Sequence, residues 1–303
     1  MKPILVVMVW RGGPRFTRCL ESVEKTSHLF SRIVLSITSE IDSEDHRLAL
    51  HFKNAHDNVE AICTGKELPT MQHQEFWVNH LEKTGVKDND WIYWLAYDDQ
   101  IYVPGMNDLF GQGSSAYSLE QDTVYFGPWA MRHEQPDRLW QGDESATMES
   151  WTSFPQQGPL KLPLITWIAD QLKQPTYIQM SGSLIPFRNY VELRDGKPKK
   201  TGPMRIEMAT AAGKQTKFVQ ELPRAISMIY GRSNSDRANY GNEARAEDIH
   251  LVSRLIKRTR SQPTQVFALV SLLVQQSAQK FAQRILKRPT KNEEWRIRST
   301  ESN

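Results

Sequence analysis

The chain reads as an α/β protein whose mostly parallel sheet is flanked by helices. Three observations predict this. Strand and helix patterns alternate through the first hundred residues, which implies right-handed crossovers between parallel strands. Ile4 to Val9 is an unbroken apolar run, the mark of a strand covered on both faces. Asp88-Asn89-Asp90 leads into a second compact run, Trp91-Ile92-Tyr93-Trp94-Leu95-Ala96, rich in strand formers and too short for a buried helix.

The elements follow in order. Gly12-Gly13-Pro14 turns the chain after the first strand, and Phe16, Leu20 and Val23 then recur at helical spacing. Ile33 to Ile37 is a second strand. The acidic segment holding Leu48 and Phe52 is a helix whose His46, His51 and His56 face solvent. Val59 to Cys63 is a third strand. Gly65 and Pro69 break the chain before a helix from about Met71 to Lys83. The fourth strand is the Trp91 run. Beyond it, Thr123 to Phe126, Phe218-Val219 and Ala225 to Tyr230 read as later strands.

Composition bounds the rest. The 303 residues suffice for one large domain or two small ones with a sizeable core. Cys19 and Cys63 form no disulfide framework and no metal spacing. No small-residue cleavage site follows the short apolar run at the start, and no stretch approaches the roughly 20 apolar residues of a membrane span. A cytoplasmic location is expected. Residues 251–303 carry a net charge of +8, which leaves −5 on residues 1–250 out of the chain's +3. Apolar residues from Val266 to Val274 precede Lys280, Arg284, Lys287 and Arg288. A basic amphipathic helix over 262–288 is able to lie on an anionic membrane surface, or to pack on protein. Nucleic acid is not expected, because residues 1–250 are acidic and hold no recognition motif.

The fourth strand ends on Asp98-Asp99. A buried strand that delivers paired carboxylates to the carboxyl edge of an open sheet places them where such sheets bind ligands. Paired Asp there suits a hard divalent cation bridging nucleotide phosphates. An Asp-rich turn is the plain alternative. Trp129, Trp140, Trp151 and Trp167 fall in or beside a region rich in Pro, Gly and Gln. They form either a sugar-stacking surface or ordinary packing.

The order of apolar strand, short turn, Arg18-Cys19-Leu20-Glu21-Ser22-Val23, second strand, and Trp91 to Leu95 leading to Asp98-Asp99 resembles the nucleotide-sugar half of the GT-A glycosyltransferases, family 2 in particular. The resemblance covers roughly residues 3–250. It implies a Rossmann-like GT-A domain over 1–250, divided into a nucleotide-sugar half (1–100) and an acceptor half (101–250). Residues 251–303 follow as a basic helical extension. It further implies a metal-dependent, inverting transfer from a nucleoside-diphosphate sugar to a glycan or lipid-linked acceptor, as in bacterial surface polysaccharide synthesis. Manganese or magnesium is the expected cation, held by Asp99 and Asp98.

The resemblance also assigns residues. Where the family carries Pro-Thr-Tyr-Asn, this chain has Met8-Val9-Trp10-Arg11, so Trp10 and Arg11, with Asp98, are donor-side candidates. Tyr230-Gly231-Arg232-Ser233-Asn234-Ser235 resembles the segment that follows the base, and Arg232 is placed on the donor diphosphate. Tyr177 to Phe187 resembles the family's strand that ends in Ser-Gly beside the acceptor, here Ser181-Gly182. Glu207, after Gly202-Pro203, matches the general base by position, and Asp248 in Glu247-Asp248 is the runner-up. Two departures stand out. Asp98-Asp99-Gln100 is not a strict D-x-D, and no Asp follows the second strand, which leaves the nucleotide base open. A sugar-phosphate nucleotidyltransferase, faintly echoed by Arg11-Gly12-Gly13, and a non-catalytic carbohydrate-binding protein are the alternatives.

Overall fold

A computed structural model of the chain describes residues 2–111, 117–127, 129–133, 149–151, 161–173, 181–196, 210–223 and 226–231. The first half runs β1 (Ile4–Val9), α1 (Gly13–Thr26), β2 (Arg32–Ile37), α2 (Glu44–Asn54), β3 (Val59–Cys63), α3 (Thr70–Lys83) and β4 (Trp91–Ala96). It continues through β5 (Gln100–Ile101), α4 (Val103–Phe110), β6 (Thr123–Phe126), β7 (Trp129–His133) and β8 (Glu149–Trp151). After these come β9 (Lys161–Pro163), α5 (Leu164–Lys173), β10 (Ser183–Pro186), α6 (Phe187–Asp195), β11 (Phe218–Glu221) and β12 (Ser227–Gly231).

Among the described residues, eight strands form the main sheet in the order β3-β2-β1-β4-β10-β6-β11-β9. The four on the β3 side are parallel, as the alternation of strands and helices predicts. β10 then enters antiparallel to both β4 and β6. A smaller sheet in the order β5-β12-β7-β8 leaves from the residues just after β4.

The continuous apolar run of β1 divides between two cores. Ile4, Val6 and Met8 join Trp77, Val78 and Leu81 of α3, Trp167 of α5 and Tyr190 of α6 on one face. Leu5, Val7 and Val9 join Phe16, Cys19, Leu20 and Val23 of α1 and Phe52 of α2 on the other. Each fully buried Leu, Ile or Val contributes about 1.5–3 kcal/mol relative to exposure. A one-residue slip of β1 would exchange the two sets, so its register, and that of its carboxyl end, is strongly fixed.

One polar pair interrupts the α3 face. Ser36 of β2 and His73 of α3 are both buried, and the Ser36 hydroxyl lies 2.8 Å from the His73 Nε2. Burial lowers the His73 pKa from 6.5 to about 4. Between those values the unfolded chain binds a proton that the folded chain refuses, so stability is full above pH 6.5 and falls as pH drops toward 4. The loss is on the order of 3 kcal/mol. His73→Gln keeps a polar partner for Ser36 and does not titrate. Denaturant melts across this window should show a flatter pH dependence in the variant, and identical slopes would refute the assignment.

Candidate active site

Because β1 to β4 are parallel, their carboxyl ends share one edge of the sheet, and Trp10, Thr38, Thr64 and Tyr97 all lie there. β10 runs the other way, so the residues before it reach the same edge. Ser183 pairs with Trp94. The Gly182 amide donates to the Trp94 carbonyl at 3.1 Å, and the Ala96 amide donates to the Ser181 hydroxyl at 3.0 Å. Ser181-Gly182 stands immediately before β10, and residues 177–180 lie outside the described residues. The antiparallel entry of β10, which no local pattern reveals, is what brings the pair beside Asp98-Asp99.

The turn after β4 is closed by the Asp99 amide donating to the Ala96 carbonyl at 3.1 Å. Asp98 is half-buried and Asp99 is only 2% exposed. Burial, together with the Asp99 charge, pushes the Tyr93 hydroxyl and the Cys19 thiol well above their usual values. Gln100 belongs to β5, and its side-chain amide donates to the Arg18 carbonyl at 2.9 Å. The third position of the acidic motif is thus engaged with α1 and supplies no carboxylate. The motif thus carries two carboxylates, and among the described residues no group of three His, Cys, Asp or Glu side chains is arranged to hold a metal. Two hard oxygen donors fit magnesium or manganese when the remaining ligands are diphosphate oxygens and water.

At the end of β1, Trp10 is 44% exposed, one of two large apolar side chains exposed among the described residues, with Ile41. The Arg11 guanidinium sits 5.2 Å from the Trp10 ring centre and forks onto Glu67, at 2.9 and 3.1 Å. That hydrogen bond from Arg11 is the main reason the Glu67 carboxyl lies below its usual range. Arg11 has a φ of +51° and Gly13 one of +50°. Between and beyond them, the amides of Gly12 and Gly13 donate to the two carboxylate oxygens of buried Asp45, at 2.7 and 2.9 Å. Pro14 has no amide hydrogen to offer. The Gly-rich turn therefore gives these two amides to the protein's own carboxylate, not to a phosphate, and the echo of a nucleotidyltransferase loop finds no support in its geometry.

Ser181 is 2% exposed. Its hydroxyl accepts from Ala96, and its carbonyl accepts from the Ser227 hydroxyl at 3.1 Å. Gly182 has a φ of +86°, and a Cβ there would collide with the Ser227 side chain. The pair thus anchors the edge, while its own side-chain hydroxyl is occupied. Thr38, just after β2, is also occupied: its hydroxyl accepts from the Leu68 amide at 2.6 Å and tethers the loop after β3.

Trp167 is fully buried and stacks on Phe126 with ring centres 5.2 Å apart, so it belongs to the core and not to a sugar surface. Trp129 and Trp151 are opposite each other in the β7–β8 register. His56 lies just beyond α2 and packs against Phe52, and His46 Nδ1 accepts from the Asp42 amide. Trp140, Glu207, Arg232, Asp248 and the extension 251–303 lie outside the described residues. Asp45 and Glu67 were missed by sequence reasoning. Asp45 follows Ser43, which accepts from the His46 amide as a helix cap, and so reads as an ordinary first-turn acid. Nothing in the local pattern shows that it reaches the turn after β1.

No protein-family model matches the chain, and no curated protein sequence does. Solved structures do. The chain is similar to S. aureus TarS 1-349 in complex with UDP-GlcNAc, with a TM-score of 0.58 at 13% identity, covering 90% of this chain and 72% of that one. It is similar to the longer S. aureus TarS with a TM-score of 0.56 at 10% identity, covering 90% of this chain and 43% of that one. At these identities the likeness is one of fold. The mixed sheet flanked by helices is the GT-A fold.

Proposed function

We propose that this protein is a metal-dependent, inverting glycosyltransferase that moves a sugar from a nucleoside-diphosphate sugar to a glycan or lipid-linked acceptor. The observation that carries the reading is the delivery of Asp98-Asp99 to the carboxyl edge of a GT-A sheet, beside exposed Trp10 and Arg11. Trp10 would offer a flat face to a nucleobase, and the exposed Arg11 fork would exchange Glu67 for phosphate oxygens. Asp98 and Asp99 would hold manganese or magnesium, which neutralises charge on the diphosphate leaving group when bound. Arg232 is assigned to the same diphosphate. Ser181-Gly182 borders the acceptor side through backbone.

In the transfer, the acceptor oxygen forms a bond to the anomeric carbon as the bond from that carbon to the diphosphate breaks. Glu207 takes the acceptor's hydroxyl proton, and the nucleoside diphosphate leaves with the bonding electrons. A surface-polysaccharide acceptor and a cytoplasmic site of action, peripheral to the membrane, fit the basic extension. Among the described residues no helix is long and apolar enough to cross a membrane.

Thermal shifts against a panel of nucleoside diphosphates, with and without manganese, test the donor assignment. A ligand at 100 times its dissociation constant stabilises by about 2.7 kcal/mol. Asp99→Asn should fold and lose the manganese-dependent part of the shift. A variant that keeps it would unseat Asp99. Binding without transfer or donor hydrolysis would favour a carbohydrate-binding protein on the same fold, and pyrophosphate release from a nucleoside triphosphate a nucleotidyltransferase.

The base is tested by charge removal at constant size. Glu207→Gln should bind donor normally and lose about 10²–10⁴ in transfer rate. Asp248→Asn should be mild, and the reverse ranking would move the base to Asp248. For the extension, flotation with anionic liposomes compares the full chain with one ending at Gln262. Only the full chain should float, and equal behaviour would leave residues 262–288 a packing role alone.

A further inference from the structure

We infer that Asp45 is a positioning residue for the donor site: it locks the turn after β1 so that Trp10 and Arg11 are held at the sheet edge. The inference rests on the donor reading given above and adds to it a residue that lies on a different helix, 34 positions after Arg11.

The turn is an unlikely one without a clamp. Arg11 occupies the left-handed region at φ +51°, a conformation that a residue with a Cβ rarely adopts. Gly13 is left-handed as well, at φ +50°. Such strain persists only where surroundings over-determine it. Asp45 supplies that determination. One carboxylate grips two successive amides, at 2.7 and 2.9 Å, and it is 8% exposed. The fit beneath is close: a Cβ on Gly12 would lie 2.6 Å from the Phe16 Cβ and 3.1 Å from Asp45 Oδ1. The carboxylate also meets the positive end of α1, so a charge-assisted pair of hydrogen bonds and the helix dipole act together.

What is fixed beneath is expressed above. Trp10 and Arg11 are the two residues immediately before the gripped amides, both exposed, with the guanidinium over the indole and forked to Glu67. An exposed ion pair such as Arg11–Glu67 contributes little order on its own. The buried grip of Asp45 therefore sets where the Trp10 face and the Arg11 fork stand. Donor binding that uses them loses less conformational freedom for it.

The test is a double-mutant cycle read by calorimetry with UDP and manganese. Asp45→Asn places an amide where two N–H donors need an acceptor. It should weaken UDP binding by roughly tenfold, and Arg11→Ala and Trp10→Ala should each weaken it on their own. In the Arg11→Ala and Trp10→Ala backgrounds, Asp45→Asn should add far less than its own tenfold, because residues acting through one another are non-additive. Losses that multiply, or an Asp45→Asn protein that binds as the parent does, overturn the inference and leave the donor reading intact. If the parent does not bind UDP, the cycle is run with the nucleoside diphosphate that shifts it in the thermal panel; a parent that binds none of the panel, or Arg11→Ala and Trp10→Ala proteins that bind as the parent does, removes the donor reading and this inference with it. If Asp45→Asn does not fold, Asp45→Glu, which keeps the charge on a longer stem, is measured in its place with the same expected loss.

Discussion

The site depends on how the chain is held as it leaves β4. That stretch is fixed by four hydrogen bonds. Ala96 donates to the Ser181 hydroxyl from the β10 side. Gln100 donates to the Arg18 carbonyl, and the Ile101 amide donates to the Ser22 hydroxyl, both on α1. From below, the Tyr93 hydroxyl donates to the Ile226 carbonyl at 2.8 Å, just before β12. Buried groups of this kind cost about 1–3 kcal/mol each when left unpaired, so the bonds are strongly preferred to their absence. Asp98 and Asp99 are consequently presented from a rigid element, with little freedom to relax away from each other. On the donor reading proposed above, two carboxylates presented in this way would suit a hard divalent cation.

The electrostatics of the edge follow from which donors remain available. In many nucleotide-binding folds a helix N-terminus receives the phosphate directly. Here the two amides at the start of α1 are committed to Asp45, and the end of that helix is already neutralised. On the donor reading proposed above, a diphosphate at this edge would find those two amides already taken and would meet the negative charges of Asp98 and Asp99. It would then call for a cation and an Arg fork, so that on this reading the metal and the guanidinium are linked.

Much of this was legible in the sequence. The apolar runs of β1 and β4, the spacing of Phe16, Leu20 and Val23, and the breakers before α3 place those elements where they are found, because one periodicity dominates each segment. The acidic pair at the end of β4 was legible for the same reason. Non-local contacts were not. Sequence cannot show that β10 runs antiparallel into a parallel sheet, that Asp45 reaches back across more than thirty residues, or that Gln100 turns to Arg18. Trp167 sits in a region of mixed composition, and only its stacking on Phe126 decides that it is core. The hydroxyl of Ser181 reads as ligand-facing until the β4 register assigns it to Ala96.

The joint at Ser181-Gly182 gives the architecture its last constraint. Gly127 donates to the Gly182 carbonyl, Gly182 donates to Trp94, and Ser227 donates to Ser181. The main sheet and the first residue of β12 in the smaller sheet therefore meet at one dipeptide. The left-handed φ of Gly182 and the closeness of Ser227 leave no room for a side chain there. The edge that carries Trp10 and Asp98-Asp99 is built by β1 and β4, and the smaller sheet leaves from β5, directly after Asp99. A shift of the smaller sheet would pull on Ser181 and, through Ala96, on the turn that carries Asp98 and Asp99. Close packing at such a joint transmits displacement instead of absorbing it. The two halves of the fold are thereby coupled at the point where a donor and an acceptor would have to meet.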